Sequence, residues 1–402
     1  MFYPEFIDAK KLIVNDDILQ LFKLVEKHGG VLRFVGGFVR DTIAGYKHTD
    51  IDLVTDLSPA EFADICDEEG IKCIPIGLHF FSLGVIINDS FFKVMTLGLE
   101  DDNIKDVWKI DASKRDLTIN AVYADDKGNV FDYFDGIKDL ENGVIKFIGN
   151  PQKAIERNYL HIMRFFRFCA MFGKKIDKKS LKTCIENKRL LQQVSPEKIK
   201  EELFKIIMAP YAPRALELVF KYGVLDFMIA PAKDLEGLRL LDELVTKLDI
   251  EKSIIRRIYT LFKPNISRAN RLSSIFRLTK EQKEHLLSLC QSKLKKESFK
   301  DTVSINQSLY LYDKETCIDM FIITNLNNPN ISQISQSLNT LLSTSKPLFP
   351  LNGKDLLKIG GEEKFLGVYI EALKKEWFNS GCLLSKKDLE NRFLQIFKYG
   401  VK

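Results

Sequence analysis

Several absences narrow the reading of this 402-residue chain. No apolar run approaches the roughly eighteen residues that a membrane-spanning helix needs, so a membrane protein is not expected. The first residues, Met1-Phe2-Tyr3-Pro4-Glu5, lack a basic segment followed by an apolar one, so no secretory signal is expected either. The seven cysteines stand singly, with no C-x-x-C pair, which speaks against a disulfide framework or a zinc knuckle. A cytoplasmic protein with reduced thiols is the resulting expectation. Internal repeats and low-complexity segments are also missing, so neither a solenoid nor a disordered tail is implied. With 45% hydrophobic and 29% charged residues, the chain can bury substantial cores, and its length suggests more than one domain.

What is present is concentrated early. Gly36-Gly37-Phe38-Val39-Arg40-Asp41 follows an apolar run, Val31-Leu32-Arg33-Phe34-Val35, and precedes Asp50-Ile51-Asp52-Leu53-Val54-Thr55. A glycine pair on a turn lets backbone N–H groups approach phosphate without a side chain in the way. If 50–55 is a strand, Asp50 and Asp52 share one face while Ile51 and Leu53 point into the core. Two carboxylates on one face are costly unless a divalent cation such as Mg²⁺ lies between them. This is the equipment for handling a nucleoside triphosphate.

Periodicity divides the chain. A helix is expected over 17–29, then an α/β segment over 31–147 with strands at 31–35, 50–54, 81–87 and 91–97, a helix near 59–69 opened by Ser58-Pro59, and a hairpin joining 118–123 to 130–134. After Pro151 strand signals nearly vanish and helical spacing runs almost to the end. Ser195-Pro196-Glu197 marks one helix start. The net charge is only +5, but residues 254–296 gather Arg256, Arg257, Lys263, Arg268, Arg271, Arg277, Lys280, Lys283, Lys293, Lys295 and Lys296 with few acids. That region suits either a long anion such as RNA or an ordinary solvated helical face. His28, His48 and His285 read as surface or cap residues.

Five segments in order resemble the class II (bacterial-type) tRNA nucleotidyltransferases, the CCA-adding enzymes, and their poly(A) polymerase relatives. They are the glycine turn, Asp50/Asp52, Lys114-Arg115-Asp116-Leu117-Thr118-Ile119-Asn120-Ala121, Asp132-Tyr133-Phe134-Asp135-Gly136, and Arg157-Asn158-Tyr159-Leu160-His161-Ile162-Met163-Arg164-Phe165-Phe166-Arg167-Phe168. The resemblance implies an α+β architecture: a small mixed-sheet nucleotidyltransferase head (1–147), an all-α neck (148–230), and a helical body and tail (231–402) facing tRNA. It implies Asp50 and Asp52 as catalytic ligands of Mg²⁺ in a two-metal displacement, and no dedicated protein base. Gly36, Gly37, Arg40, Arg115 and Asp116 would meet the phosphates and ribose of CTP or ATP, and the tRNA 3′ end would be the acceptor.

The last segment departs from the family's Glu-Asp-x-x-Arg-x-x-Arg-x-x-Arg-Phe, whose Asp and first Arg read the base. Arg157 stands for Glu, Asn158 for Asp and His161 for Arg, while Arg164 and Arg167 are in register. On one continuous helix, positions 158, 161, 164 and 167 would share a slowly drifting face, with Asn158 accepting from an exocyclic amine and neutral His161 donating to a ring nitrogen. Weaker discrimination against G and U follows from that reading. Two further departures are the short segment between Leu97 and Arg115 and the turn Gly77-Leu78-His79-Phe80-Phe81-Ser82. Three readings stay open: an enzyme adding all or part of CCA, a poly(A)-polymerase-like or relaxed enzyme, and an inactive RNA-binding relative. The oligomeric state is not legible.

Overall fold

The computed structural model describes residues 6–46, 50–76, 82–97, 106–232 and 234–398. These residues fall into two compact units, one up to Leu225 and one from Asp226 onward. The turn at 77–81, the segment 98–105 and His48 lie outside the described residues.

In the first unit the chain runs through α1 (Asp16–Lys27), β1 (Leu32–Val35), α2 (Gly37–Ala44), β2 (Asp52–Thr55), α3 (Pro59–Glu68), β3 (Lys72–Pro75), β4 (Ser82–Ile87), β5 (Ser90–Thr96), α4 (Val107–Lys114), β6 (Val122–Ala124), β7 (Val130–Asp132) and α5 (Gly136–Asn142). Caps explain several boundaries. Asn15 accepts from Ile18 N–H to open α1, and Ser58 with Glu61 forms a capping box over Pro59 at the start of α3. Among the described residues the strands form one seven-stranded sheet in the order β3-β4-β5-β2-β1-β6-β7, mixed because β2 and β5 run parallel. Alternation along β1 and β2 splits two cores. Phe34 and Leu53 join Phe22, Phe38 and Phe62 on one face, while Val35 and Val54 join Trp108, Tyr123 and Ile148 on the other.

The same unit continues with β8 (Val144–Ile145), α6 (Pro151–Arg157), α7 (His161–Phe172), β9 (Lys175–Ile176), α8 (Lys178–Glu186), α9 (Pro196–Met208) and α10 (Ala212–Lys221). Helix α7 buries Ile162, Met163, Phe165, Phe166, Phe168, Cys169, Ala170 and Phe172 against α9, α10 and β8. Such a wide apolar face leaves few positions for charge, and those are where the cleft lies.

Four local expectations are corrected. The hairpin at 118–134 is shorter than its apolar pattern suggests. Thr118–Asn120 forms a 3₁₀ turn because Thr118 Oγ1 donates to Asp139 (2.7 Å) and Asn120 Nδ2 to Asp116 (2.9 Å), pulling polar side chains inward. Strand β3 was not anticipated; it is a short, mostly exposed edge strand paired to β4. Strand β2 begins at Asp52, so Asp50 sits just ahead of it rather than inside it. Finally, 157–168 is not one helix. Asn158 is extended (φ −159°, ψ 111°), its Oδ1 accepts from Leu160 N–H at 3.0 Å, and its carbonyl accepts from His161 N–H at 3.0 Å. That local ring of bonds ends α6 and starts α7 afresh.

The second unit is helical among the described residues: α11 (Leu235–Lys247), α12 (Ile254–Phe262), α13 (Ile266–Phe276), α14 (Lys280–Gln291), α15 (Thr302–Leu311), α16 (Lys314–Thr324), α17 (Ile331–Ser343), α18 (Gly353–Lys358), α19 (Leu366–Asn379) and α20 (Lys386–Phe393). Trp377, Leu356, Leu373 and Phe393 anchor its C-terminal core. Not all of the basic run is surface. Arg256 (6% exposed) donates from Nε to Asp319 at 2.6 Å, and Arg257 (1% exposed) pairs with Asp242. His285 is likewise buried rather than superficial, its Nε2 3.0 Å from Asp319.

Asp319 thus serves a guanidinium and an imidazole in a buried cluster. Truncating one member of a buried ionic cluster leaves the others uncompensated, so Asp319→Ala is expected to lower stability by about 3–5 kcal/mol in urea unfolding. Burial pulls the His285 pKa down, but the bond and charge of Asp319 outweigh it and the net direction is upward. A raised folded pKa stabilises below the ordinary histidine value and the gain fades as pH rises through the folded one. Thermal unfolding of the native chain should therefore lose a stabilising increment across that window, and His285→Gln should flatten the loss.

Candidate active site

The chain reversal between β1 and β2 sets the site. In the antiparallel register Phe34 lies opposite Leu53, so the residue after each strand end and the residue before it meet at one edge. Gly36 caps α2 there with φ +69° and ψ −122°, a backbone conformation that glycine tolerates and other residues resist. Its N–H donates to Val122 O at 3.1 Å, which ties the turn to β6. A Cβ placed on Gly36 would lie 3.4 Å from Arg115 Nη1, 3.6 Å from Asn120 O and 4.0 Å from Asp52 Oδ2. The glycine turn, a guanidinium and a carboxylate thus converge on one point. No side chain caps α2.

Around that point lies a cleft of about 500 Å³. Gly36, Gly37, Arg40, Asp50, Asp52, Lys114, Arg115 and Asp116 line its sheet side, with Asn120; His161, Arg164, Arg167 and Phe168 line it from α7. Asp50 and Asp52 make no hydrogen bond or ion pair among the described residues, and the charge of Asp52 is felt by Arg164. Among those residues no cluster of three or more His, Cys, Asp or Glu gathers, so an ion here would rely on two carboxylates.

The cations are held in different ways. Arg115 follows α4 and its Nε donates to Asp111 Oδ2 and Tyr123 Oη, both at 3.1 Å, while Nη2 pairs with Asp111 at 2.9 Å. That leaves Nη1 toward the glycine turn. Arg40 also lines the cleft and is held on three sides: Nε and Nη2 grip Asp41 at 2.9 Å each, Nη1 donates to Asn120 Oδ1, and its guanidinium lies over Phe168 and Phe172. It is a brace between α2, the 118–120 turn and α7. Arg167 pairs with Glu202 at 3.1 Å, and burial pushes its pKa down to about 10 despite that partner.

Asp116 is also a brace. Only 6% exposed, its Oδ1 accepts from Leu117 N–H and Asn120 Nδ2, and its Oδ2 accepts from Arg164 Nε at 2.6 Å. Burial pushes its carboxyl up, but the Arg164 charge and the bonds from Arg164 and Asn120 prevail and hold it at about 2. Arg164 is therefore fixed through Nε, with the far end of its fork toward the cleft. Its neighbour one turn back, His161, has Nδ1 2.7 Å from Ala154 O, and burial is the chief cause of its lowered pKa.

Two residues of the fifth segment fall elsewhere. Asn158 is exposed, outside the cleft lining, and its carboxamide oxygen is occupied by Leu160. Arg157 reaches back to the end of α4, its Nη1 donating to Lys114 O at 3.1 Å. Sequence reasoning did not assign Lys114, Asn120 or Phe168 to the site. Each sits inside a quoted motif, Lys114 and Phe168 directly beside an assigned residue, but only the fold shows that the 118–120 turn and α7 face the same space.

Known proteins resemble this chain along most of its length. Residues 32–146 match the family described as the poly A polymerase head domain, and residues 173–235 match a probable RNA and SrmB-binding site of polymerase A. The chain is 27% identical over 412 residues to the mitochondrial CCA tRNA nucleotidyltransferase 1 of Homo sapiens, covering 96% of this chain and 91% of that one. It is 25% identical over 373 residues to the CCA-adding enzyme of Ligilactobacillus salivarius, covering 89% and 91%. Its fold resembles that of the Bacillus stearothermophilus CCA-adding enzyme solved with CTP, with a TM-score of 0.70, 19% identity, and coverage of 94% and 96%. By these matches residues 32–146 carry a poly A polymerase head domain, and the chain is similar along most of its length to tRNA nucleotidyltransferases of the CCA-adding kind.

Proposed function

We propose that this enzyme adds C and A residues to tRNA 3′ ends from CTP and ATP, without a nucleic-acid template. The observation that carries the reading is the convergence of the Gly36 turn, Arg115 and Asp52 on one point of a cleft that Asp50 also lines. Full-length similarity to CCA-adding relatives supports tRNA as the acceptor over a poly(A) tail or a catalytically silent role. The division into head (1–147), neck (148–230) and body with tail (231–402) is kept as part of this proposal.

The chemistry follows from charge. A triphosphate is a dense anion, and the backbone of Gly36–Gly37, the open start of α2 and Arg115 Nη1 offer it donors and positive potential. Lys114 adds charge at the exposed rim. Asp50 and Asp52 fit Mg²⁺: hard oxygen ligands, two carboxylates, the remaining positions left to water and phosphate. When bound, Mg²⁺ supplies neutralisation of the triphosphate and acidification of the attacking 3′-hydroxyl. Asp116 and Arg40 hold the turn and α7 in place while this occurs. In the second unit, exposed Arg271, Lys280, Lys283, Lys293, Lys295 and Lys296 form the part of the basic run available to tRNA phosphates. The seven free cysteines suit a reducing compartment, and we assign the cytoplasm on that basis. No helix among the described residues is long and apolar enough to cross a membrane.

The test is extension of tRNA ending before C, after C and after CC, with each nucleotide alone and in pairs. Three added residues with CTP and ATP support the reading; long A tails on generic RNA oppose it. Asp50→Ala and Asp52→Ala should each lower kcat by about a thousandfold or more, as should chelation of Mg²⁺, with tRNA binding retained. Gly36→Ala should cost about 1–3 kcal/mol in backbone strain and also press on Arg115. Its signature is a raised KM for nucleotide together with a lower Tm.

A further inference from the structure

We propose that the base of the incoming nucleotide is read by His161 and Arg164, one helical turn beyond the pair that the family pattern points to. The inference rests on the nucleotidyltransferase reading above and deepens it.

Position 158 lies outside the cleft lining. Asn158 is exposed, lies in the break between α6 and α7, and holds Leu160 N–H with the very oxygen that would accept from a base. His161 and Arg164 both line the cleft and sit three residues apart on α7, a spacing that brings side chains to the same face with Cβ atoms about 5–6 Å apart.

Their donor–acceptor polarity is fixed by their surroundings. A backbone carbonyl can only accept, so the 2.7 Å contact with Ala154 O requires the proton on His161 Nδ1. In a neutral imidazole Nε2 is then an acceptor, the reverse of the donor role that sequence alone suggested. The surroundings favour the neutral ring: burial lowers its pKa, outweighing the Ala154 bond and the Asp116 charge that raise it, and Arg164 and Arg157 add to the lowering. Arg164 is all donor. Its Nε is fastened to buried Asp116, so its Nη groups are presented by an anchored fork.

An acceptor beside a donor matches one kind of Watson–Crick edge. Cytosine offers the N4 amine beside N3, and adenine offers the N6 amine beside N1. Uracil and guanine present the inverse, a carbonyl oxygen beside a ring N–H, which would set lone pair against lone pair and N–H against N–H. Because Nε2 cannot turn into a donor while Nδ1 is held by Ala154, this pair should reject U and G more firmly than a carboxamide free to flip. That reverses the relaxed selectivity expected from Asn158.

Equilibrium binding of CTP, UTP and the triphosphate of pyrimidin-2-one riboside, which lacks the amine, tests the pair without relying on catalysis. The native enzyme should favour CTP over both others. His161→Ala should cut that preference by about tenfold or more, and His161→Gln should leave an intermediate ratio, because a carboxamide accepts but also flips. Asn158→Ala should keep the native ratio. Unchanged Tm and retained tRNA binding exclude misfolding of each variant. A native CTP preference in His161→Ala, its loss in Asn158→Ala, or no preference in the unaltered protein would overturn the inference. tRNA extension is measured in parallel. Selective CTP binding through His161 with no extension would sink the proposed function and leave the base-reading pair standing.

Discussion

A single buried carboxylate organises the catalytic unit. Asp116 lies at the start of the turn that leads into β6, yet its second oxygen is bound to a guanidinium on α7, far along the chain. Its first oxygen holds Asn120, whose own carbonyl oxygen is held by Arg40 of α2. The chain Arg40–Asn120–Asp116–Arg164 therefore ties the glycine turn, the sheet and the first long neck helix into one frame. An ionised group so deeply placed is tolerated because every bond it accepts favours the charged form, which is why its pKa lies near the bottom of the carboxylate range. The cleft is the space this frame encloses on its open side.

That frame separates two kinds of arginine that look alike in sequence. Arg40 and Arg115 each stand beside an aspartate or a motif aspartate, and both read as phosphate ligands. Arg40 is braced by Asp41, Asn120 and two aromatic rings, whereas Arg115 is gripped on one edge by Asp111 and Tyr123 and keeps one nitrogen toward Gly36. The same distinction recurs in the second unit. Arg256 and Arg257 belong to its core chemistry, and the exposed lysines beyond them carry its surface potential. Counting positive residues along a chain cannot tell these apart, because pairing partners such as Asp319 and Asp242 lie in other helices.

Much of the architecture was readable in advance. Period-two apolar spacing located β1, β2, β4 and β5, and Ser58-Pro59 located α3, since these signals are local and strong. The α+β division and the helical run after Pro151 follow from the same patterns. What escaped was set by side chains competing with the backbone. Thr118 and Asn120 look like strand residues until their polar groups turn inward toward Asp139 and Asp116. Asn158 looks like a helix position until its own carboxamide interrupts the helix. At the site, the fold brings Gly36, Gly37, Arg40, Asp50, Asp52, Arg115, Asp116, His161, Arg164 and Arg167 to one cleft, whereas the position of the proton on His161 was not legible, because it depends on Ala154, a neighbour in space through the helix break.

The contact of Arg157 with the end of α4 has an electrostatic corollary. A cation there meets the carbonyls of Lys114, Ser113 and Arg115, groups that a helix end leaves electron-rich. A glutamate at this one position would press an anion against those same oxygens. The helix end and the neck are thereby stapled by one side chain, so a change of charge at 157 is felt at the rim of the cleft through Lys114 and Arg115.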